Sequence, residues 1–259
     1  MLPKPEHTTA GLSFFSLPLP IGQPVSPPGH RSPALSETHG IPVAQECQGN
    51  PAPASSSYNL SFTAASLRPE LARIIAECHL ATNDWNLTRE RILAANALQC
   101  RSASSAIRLE RELRHRLGGL TPDQLRLLAQ ATAEDRTAIA WLAACKHIRF
   151  AFEFTAEVLR DKLAAHDPVL RHSDYEAYVE NKCLTHPELA RLTTSSKTKV
   201  RQVLLRMLVE AGLLAAGTPL GTIRRPVLSP TVVQVVTSDK PGWLAAFLVP
   251  DSEIFQRRP

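Results

Sequence analysis

Apolar residues recur every three or four positions over most of the chain after Tyr58, and this spacing is typical of amphipathic helices. Because only 5% of the residues are aromatic, we expect the core to consist mainly of leucine, alanine, valine and isoleucine. Leucine and alanine favour helix. The sequence therefore predicts a mainly α-helical fold, and its 259 residues allow two compact units of roughly 100 residues each.

The first 57 residues have a different composition from the rest. They hold 11 of the 21 prolines and end in the run PAPASSS. Such a segment cannot bury enough apolar surface to offset the entropy lost on ordering. We therefore predict a disordered tail over 1–57, a helical bundle over 58–170 and a second, C-terminal domain over 171–259.

Charge, hydropathy and cysteine content exclude some classes of protein. The net charge of +5 is compatible with a polyanionic partner. No apolar run reaches the roughly 18 to 20 residues of a membrane-spanning helix, which argues against an integral membrane protein. The five cysteines are widely spaced and odd in number, as expected for reduced thiols in the cytoplasm rather than for a secreted disulfide framework.

No catalytic or cofactor motif is present. The sequence lacks a phosphate-binding GxxxxGK[ST] loop, a dinucleotide-binding GxGxxG, HExxH, GxSxG and paired CxxC clusters. Cys145 with His147 and Cys183 with His186 each supply only half of a zinc ligand set. We therefore predict no cofactor, no metal and no enzymatic activity.

A helix predicted over 102–117 combines an apolar stripe with a basic face. The stripe consists of Ala106, Leu109, Leu113 and Leu117, at about 100° per residue. The opposite face holds Ser104, Arg108, Arg111 and His115, flanked by Arg114 and Arg116. A row of guanidinium groups can follow phosphates. The alternative is a solvated face stabilised by ion pairs, since Glu110–Arg114 and Glu112–Arg116 have the favourable i,i+4 order.

The C-terminal pattern is typical of a winged helix-turn-helix. A short helix over 187–192 is followed by the polar turn TTSS, a long helix over 196–213 and an extended segment over 222–229. The exposed first turns of the long helix hold Thr198, Lys199, Arg201 and Gln202, residue types suited to DNA grooves and phosphates. Arg224 and Arg225 would lie where the wing meets the DNA backbone. A winged helix that contacts only protein is the alternative.

One helix start is predicted from a capping box. Ser173 and Glu176 have the required spacing, which predicts a helix over 174–184.

Four segments also stand out together: YNLSFTAASLRPELARIIAE, LAANALQCRSASSAIRLERELRHRLGGL, AIAWLAACKHIRFAFEFTAEVLRDKL and KTKVRQVLLRMLVEAGLL. In this order and spacing they resemble the BrxA family of the bacteriophage exclusion (BREX) defence system, from about Tyr58 to about Pro250. The family has long been catalogued as an inner membrane protein, which the hydropathy contradicts. The resemblance implies a cytoplasmic protein with a helical bundle similar to the antitermination factor NusB, followed by a winged helix.

The resemblance also implies binding of double-stranded DNA without catalysis, beside the methyltransferase, ATPase and alkaline-phosphatase-like members of the system. The basic residues in the matching segments are Arg101, Arg108, Arg111, Arg114, Lys197, Lys199 and Arg201, and their assignment to phosphates is our own. We predict a DNA-binding accessory component of BREX. Two alternatives stay open: an assembly subunit without DNA contact, and an RNA-binding protein similar to antitermination factors.

Overall fold

The first five helices form in the order that the apolar spacing predicts. They are α1 (Pro69–Thr82), α2 (Trp85–Ala94), α3 (Ala103–Leu117), α4 (Pro122–Gln130) and α5 (Ala133–His147). Side-chain oxygens cap the last four of these helices, because Asp84, Ser102, Thr121 and Thr132 each accept a hydrogen bond from a first-turn backbone N–H. The computed structural model describes residues 57–217 and 219–257, so the predicted tail over 1–57 lies outside it except for Ser57.

Helix α5 lies at the centre of the bundle. Every side chain from Ile139 to Cys145 is buried, as expected from the alanine-rich apolar run. The indole N–H of Trp141 donates a hydrogen bond of 2.8 Å to the carbonyl oxygen of Ala246, near the other end of the chain. The core therefore joins the bundle to the C-terminal residues.

The helical segment that follows α5 is interrupted. It consists of α6 (Arg149–Phe154), a π-helical turn (Thr155–Leu159) and α7 (Arg160–Ala164). The hydroxyl of Thr155 donates to the carbonyl oxygen of Ala151 at 2.9 Å, and such bonding back to the preceding turn is typical of bent or widened helices.

A small antiparallel sheet and three helices follow. The elements are β1 (Val169–Leu170), α8 (His172–Cys183), α9 (Pro187–Ala190), α10 (Thr194–Glu210), β2 (Leu214–Ala215) and β3 (Gly221–Ile223), with the strand order β1-β3-β2. The short helix, turn and long helix have the predicted order. The extended segment predicted over 222–229 is a strand only through Ile223.

The predicted capping box at Ser173 and Glu176 is wrong. Helix α8 begins at His172, and the carboxylate of Asp174 accepts the backbone N–H of Arg171 at 2.7 Å. Asp174 therefore occupies the third helical position, which satisfies the N–H of the residue before the helix.

The last elements return to the bundle. They are α11 (Pro230–Asp239), a 3₁₀ segment (Pro241–Phe247) and α12 (Asp251–Gln256). The side-chain amide of Gln124 in α4 donates to the carbonyl oxygen of Val235 at 3.0 Å, and Lys146 in α5 forms an ion pair of 2.7 Å with Asp239. These contacts fix α11 against α4 and α5.

The division between 170 and 171 stays a prediction. Strand β1 precedes this boundary and pairs with β3, which follows it. Among the described helices, none has both the length and the apolar character needed to span a membrane.

Candidate nucleic-acid interface

Helix α3 exposes the residues that its periodicity places on the outer face. We call this surface the α3 face. It consists of Ser104, Arg108, Arg111 and His115 on the helix, together with Arg101 just before the helix, and all five are exposed. Ala106, Leu113 and Leu117 are buried on the opposite side, and Leu109 is partly buried. The amphipathic reading of this helix is therefore confirmed.

Arg114 lies at the edge of the α3 face and is held by a carboxylate. Its Nε donates to Glu110 at 2.7 Å, one helical turn earlier, and Arg89 of α2 approaches the other oxygen of Glu110 at 3.8 Å. The Glu110 side chain is fully buried. A buried carboxylate has to be balanced by cations. The charge of Arg114 is therefore partly neutralised by Glu110.

The sequence predicts that Arg116 flanks the exposed face, and this prediction is wrong. It is buried, forms an ion pair of 2.8 Å with Glu112, and donates to the carbonyl oxygens of Ser66 and Ala65 at 2.8 and 2.9 Å. Burial lowers the pKa of Arg116, although the Glu112 carboxylate acts in the opposite direction. Arg116 is therefore a structural residue.

The first turns of α10 form a second basic surface, the α10 face, consisting of Lys197, Thr198, Lys199 and Gln202. All four residues are exposed, whereas Val200, Val203 and Leu204 are buried on the opposite side. The Thr198 hydroxyl donates to the carbonyl oxygen of Thr194 at 3.0 Å. Arg201 is half-buried, 3.9 Å from the carboxylate of Glu176 and over the ring of Tyr175.

The two arginines that follow β3 differ. Arg224 and Arg225 are both exposed and follow β3 directly. Arg225 forms two hydrogen bonds with Glu253 of α12, at 2.8 and 2.6 Å, and these bonds raise the pKa of the guanidinium. The charge of Arg225 is thus largely neutralised, while that of Arg224 is not.

Several of the predicted cations have no carboxylate partner within residues 57–217 and 219–257. They are Arg101, Arg108, Arg111, Lys197, Lys199 and Arg224. Lysine and arginine side chains of this kind can neutralise phosphates without first breaking an internal ion pair.

One segment, which includes a 3₁₀ turn (Phe62–Ala64), contacts both basic helices. We call residues 58–67 the N-terminal strap. Besides the bonds from Arg116 of α3, its Leu67 N–H donates to Glu210 at the end of α10 at 2.7 Å. Its Tyr58 N–H donates to Glu188 of α9 at 2.6 Å. The strap therefore fixes α3, α9 and α10 to one piece of backbone.

The Tyr58 side chain anchors the start of this strap. Its hydroxyl donates to Glu153, whose carboxylate also accepts from Lys182 at 2.6 Å and from Arg149. Burial alone would raise the pKa of Glu153, but these hydrogen bonds outweigh it and the pKa is lowered. The carboxylate stays charged and keeps the three donors in place.

A hollow of about 520 Å³ lies at the C-terminal end of the α3 face. It is lined by Asn59, Trp85, Arg114, His115, Gly118 and His147. The rings of His115 and His147 have centroids 5.8 Å apart, and the Asn59 amide nitrogen lies 3.2 Å from His147 Nε2. Sequence reasoning missed Trp85, Asn59 and His147 as members of one site, because they come from three separate elements and share no motif.

The half ligand sets around Cys145 and Cys183 do not come together. Within the described part of the chain, no group of three or more histidine, cysteine or acidic residues is arranged to hold a metal ion. Cys145 is buried, and burial raises the pKa of its thiol.

Comparison with known proteins identifies the family. The family model of BrxA matches residues 56–240. A BREX protein BrxA of Escherichia coli is 30% identical over 141 residues, which are 54% of this chain and 66% of that protein. A BREX protein BrxA of Bacillus cereus is 27% identical over 161 residues, 62% of this chain and 80% of the relative.

A solved structure supports the fold. The crystal structure of a protein from Magnetospirillum magneticum superimposes with a TM-score of 0.65 at 21% identity, covering 74% of this chain and 97% of that one. The family model matches well over half of the sequence, and the fold agrees with a solved structure. This chain belongs to the BrxA family.

Proposed function

We propose that this protein is a non-enzymatic, double-stranded-DNA-binding component of BREX anti-phage defence. Two of its relatives are named BREX protein BrxA, which supports a role in this defence system. We propose that it acts in the cytoplasm, beside the methyltransferase, ATPase and alkaline-phosphatase-like members. The order of α9, turn, α10, β2 and β3 supports a winged helix-turn-helix as the C-terminal DNA contact, with α10 as the recognition helix.

The observation that carries this proposal is the set of cations without internal partners on the α3 face, on the α10 face and at Arg224. Exposed cations spaced along a helix favour a polyanion, because each phosphate that they neutralise releases condensed counterions. Arg108, Arg111 and His115 are separated by three and four residues, or about 4.5 and 6 Å along the helix axis. They therefore form one row along the exposed side of α3.

The binding is expected to depend weakly on DNA sequence. The exposed positions on both faces are mostly arginine and lysine, and Gln202 is the amide side chain among the residues predicted to contact DNA. Phosphate contacts position a protein on DNA, whereas base-edge hydrogen bonds specify the sequence. We therefore expect similar affinity for duplexes of unrelated sequence.

A salt titration tests the proposal. With six phosphates neutralised, the logarithm of the association constant should fall with the logarithm of salt concentration with a slope of about −5, or roughly a thousandfold between 50 and 200 mM salt. Fluorescence anisotropy with a labelled duplex measures this slope. A flat salt response would contradict the proposal, and tighter binding of structured RNA than of duplex DNA would favour the RNA-binding alternative.

Two exposed apolar side chains favour a second candidate function, that of an assembly subunit. Val227 is 98% exposed in the loop after the wing, and Leu184 is 83% exposed after α8. Single exposed apolar side chains are common, but Val227 also borders two surface grooves, where a partner protein can dock. Co-purification with other BREX proteins after nuclease treatment, together with no retardation of DNA, would select this candidate.

A further inference from the structure

The hollow at the end of the α3 face combines an aromatic ring with several polar groups. It is bordered by the indole of Trp85, the imidazoles of His115 and His147, the Asn59 amide and the Arg114 guanidinium. We propose that this hollow holds one unpaired nucleotide of a bound DNA strand, with its base against Trp85. This inference rests on the proposed DNA binding and adds a preference for DNA with an unpaired end or gap.

The indole of Trp85 is held in a fixed orientation. The ring of His79 stacks on it with centroids 3.6 Å apart and planes 7° apart. The hydroxyl oxygen of the buried Thr88 lies 3.4 Å from Nδ1 of His79. A rigid indole loses little side-chain entropy when a base stacks on it, and proteins that bind single strands combine such rings with positive grooves.

The polar lining suits a base and its phosphate together. The Asn59 side-chain oxygen accepts the backbone N–H of Ser61 at 3.1 Å, and its nitrogen lies 3.2 Å from His147 Nε2. The second N–H of the amide and the second lone pair of its oxygen can therefore bond to a base edge. Arg114 keeps its Nη groups available for an anion, because its Nε makes the hydrogen bond to Glu110. The volume of about 520 Å³ lies within the roughly 300–1,000 Å³ of small-molecule sites.

Continuity with the α3 face indicates how a strand would reach the hollow. His115 belongs to both surfaces, and Arg111 and Arg108 lie one and two turns before it along α3. If the phosphates of a strand contact Arg108 and Arg111 in turn, the next nucleotide of that strand would lie at the hollow. A base inside a duplex is stacked and paired, so an unpaired nucleotide can enter at the lower energetic cost.

The test compares a blunt duplex with the same duplex carrying a single-stranded overhang, by anisotropy at constant salt. We expect about tenfold tighter binding of the overhang duplex, in line with the effect of one base stacked on an aromatic ring. Trp85→Leu should remove this advantage, so that the overhang duplex and the blunt duplex bind with equal affinity. The matched control Leu87→Ala, an exposed side chain on the same helix and outside the hollow, should keep it.

Two further measurements test the inference even if Trp85→Leu misfolds. Asn59→Ala changes an exposed side chain outside the regular helices and should reduce the advantage of the overhang. Tryptophan fluorescence should be quenched by the overhang duplex in the parent protein, and this quenching should be absent in Trp85→Phe. Equal affinity for the two duplexes would overturn the inference while leaving the proposed function intact.

Two other outcomes would also overturn this inference. Absence of binding to both duplexes would overturn the proposed function and this inference together. If free deoxyadenosine monophosphate binds the parent protein as tightly as the overhang duplex does, the hollow is a site for free nucleotides, and the proposed strand contact is wrong.

Discussion

Arg225 and Glu253 are joined by two parallel hydrogen bonds, from Nη1 to Oε1 at 2.8 Å and from Nη2 to Oε2 at 2.6 Å. The neighbouring Arg224 has no carboxylate partner among the described residues. The two adjacent arginines after β3 therefore differ in the charge that is available to a polyanion, which gives the first prediction.

Arg224→Ala should weaken duplex binding and make the salt slope less negative by about one unit, because one phosphate contact is lost. Arg225→Ala should have a smaller effect, since its charge is balanced by Glu253. Anisotropy titrations of both variants across salt concentrations measure the difference. Equal losses for the two variants would mean that the ion pair opens when DNA binds.

Charge reversal on α3 tests the first basic surface. The double variant Arg108→Glu with Arg111→Glu should bind DNA much more weakly than the parent, for all sequences, and its salt slope should be less negative by about two units. A control is Arg126→Glu, an exposed arginine on α4 that pairs with Asp123. If the double variant binds like the control, the α10 face and the wing alone hold the DNA.

Removal of the Arg116 charge should destabilise the fold. Arg116→Met leaves the buried Glu112 without its cation and three strap carbonyl groups without their donor. Loss of one partner of a buried ion pair costs about 3–5 kcal/mol in the free energy of unfolding. Denaturant unfolding measures this loss. The exposed Arg111→Met should change stability by about 0.5 kcal/mol or less.

All three tyrosines of the chain should ionise late. Burial raises the pKa of Tyr175 and Tyr58 to about 12, with the hydrogen bond to Glu153 adding to the effect at Tyr58, and burial raises that of Tyr178 further. The folded state thus favours neutral phenols. Their contribution to stability is complete below pH 10 and is lost as the pH rises from 10 towards 12.

Absorbance at 295 nm checks this prediction. At pH 10.5 the native protein should show little tyrosinate, and the absorbance should rise on addition of denaturant at the same pH. Tyrosinate that forms in the native protein at pH 10 would contradict the described burial of these rings.

Gly221 should not tolerate a side chain. Its φ of +136° is unfavourable for other residues, and a Cβ atom would lie 2.4 Å from the carbonyl oxygen of Ala215 and 2.9 Å from Leu214 Cγ. Gly221→Ala should therefore lower the free energy of unfolding by more than the matched Gly212→Ala. Gly212 has a φ of +73° and open space around it. Backbone strain of about 1–2 kcal/mol is therefore the main loss in the free energy of unfolding that we expect for Gly212→Ala. Thermal unfolding of the two variants compares them.

The helices could be predicted because their signals are local. Ser102 and Thr121 act as caps within a few residues of where they stand in the sequence, and the stripe of Ala106 and Leu113 repeats at the helical period. The small strands could not be predicted in the same way. Val169 and Leu170 pair with residues some fifty positions away, and two residues carry no periodicity of their own.

The residues of the candidate site could be predicted only where the helical periodicity of the apolar residues determines which side chains are exposed. Arg108 and Arg111 are exposed because the helix rotates them away from the core. Arg116 is buried, although helical geometry alone placed it at the edge of the basic face, because the strap packs over it and supplies carbonyl acceptors. A distant segment of backbone decides which cation faces solvent.

The strap has a consequence for the smallest stable version of this protein. A chain trimmed to begin after Leu67 would keep every α-helix described above, yet Arg116 would lose both the backbone that covers it and its carbonyl acceptors, and Glu210 would lose the amide N–H whose hydrogen bond it accepts. A truncation designed on α-helix boundaries alone would therefore remove part of the core, including the buried side chains of Phe62 and Leu67, and destabilise the fold.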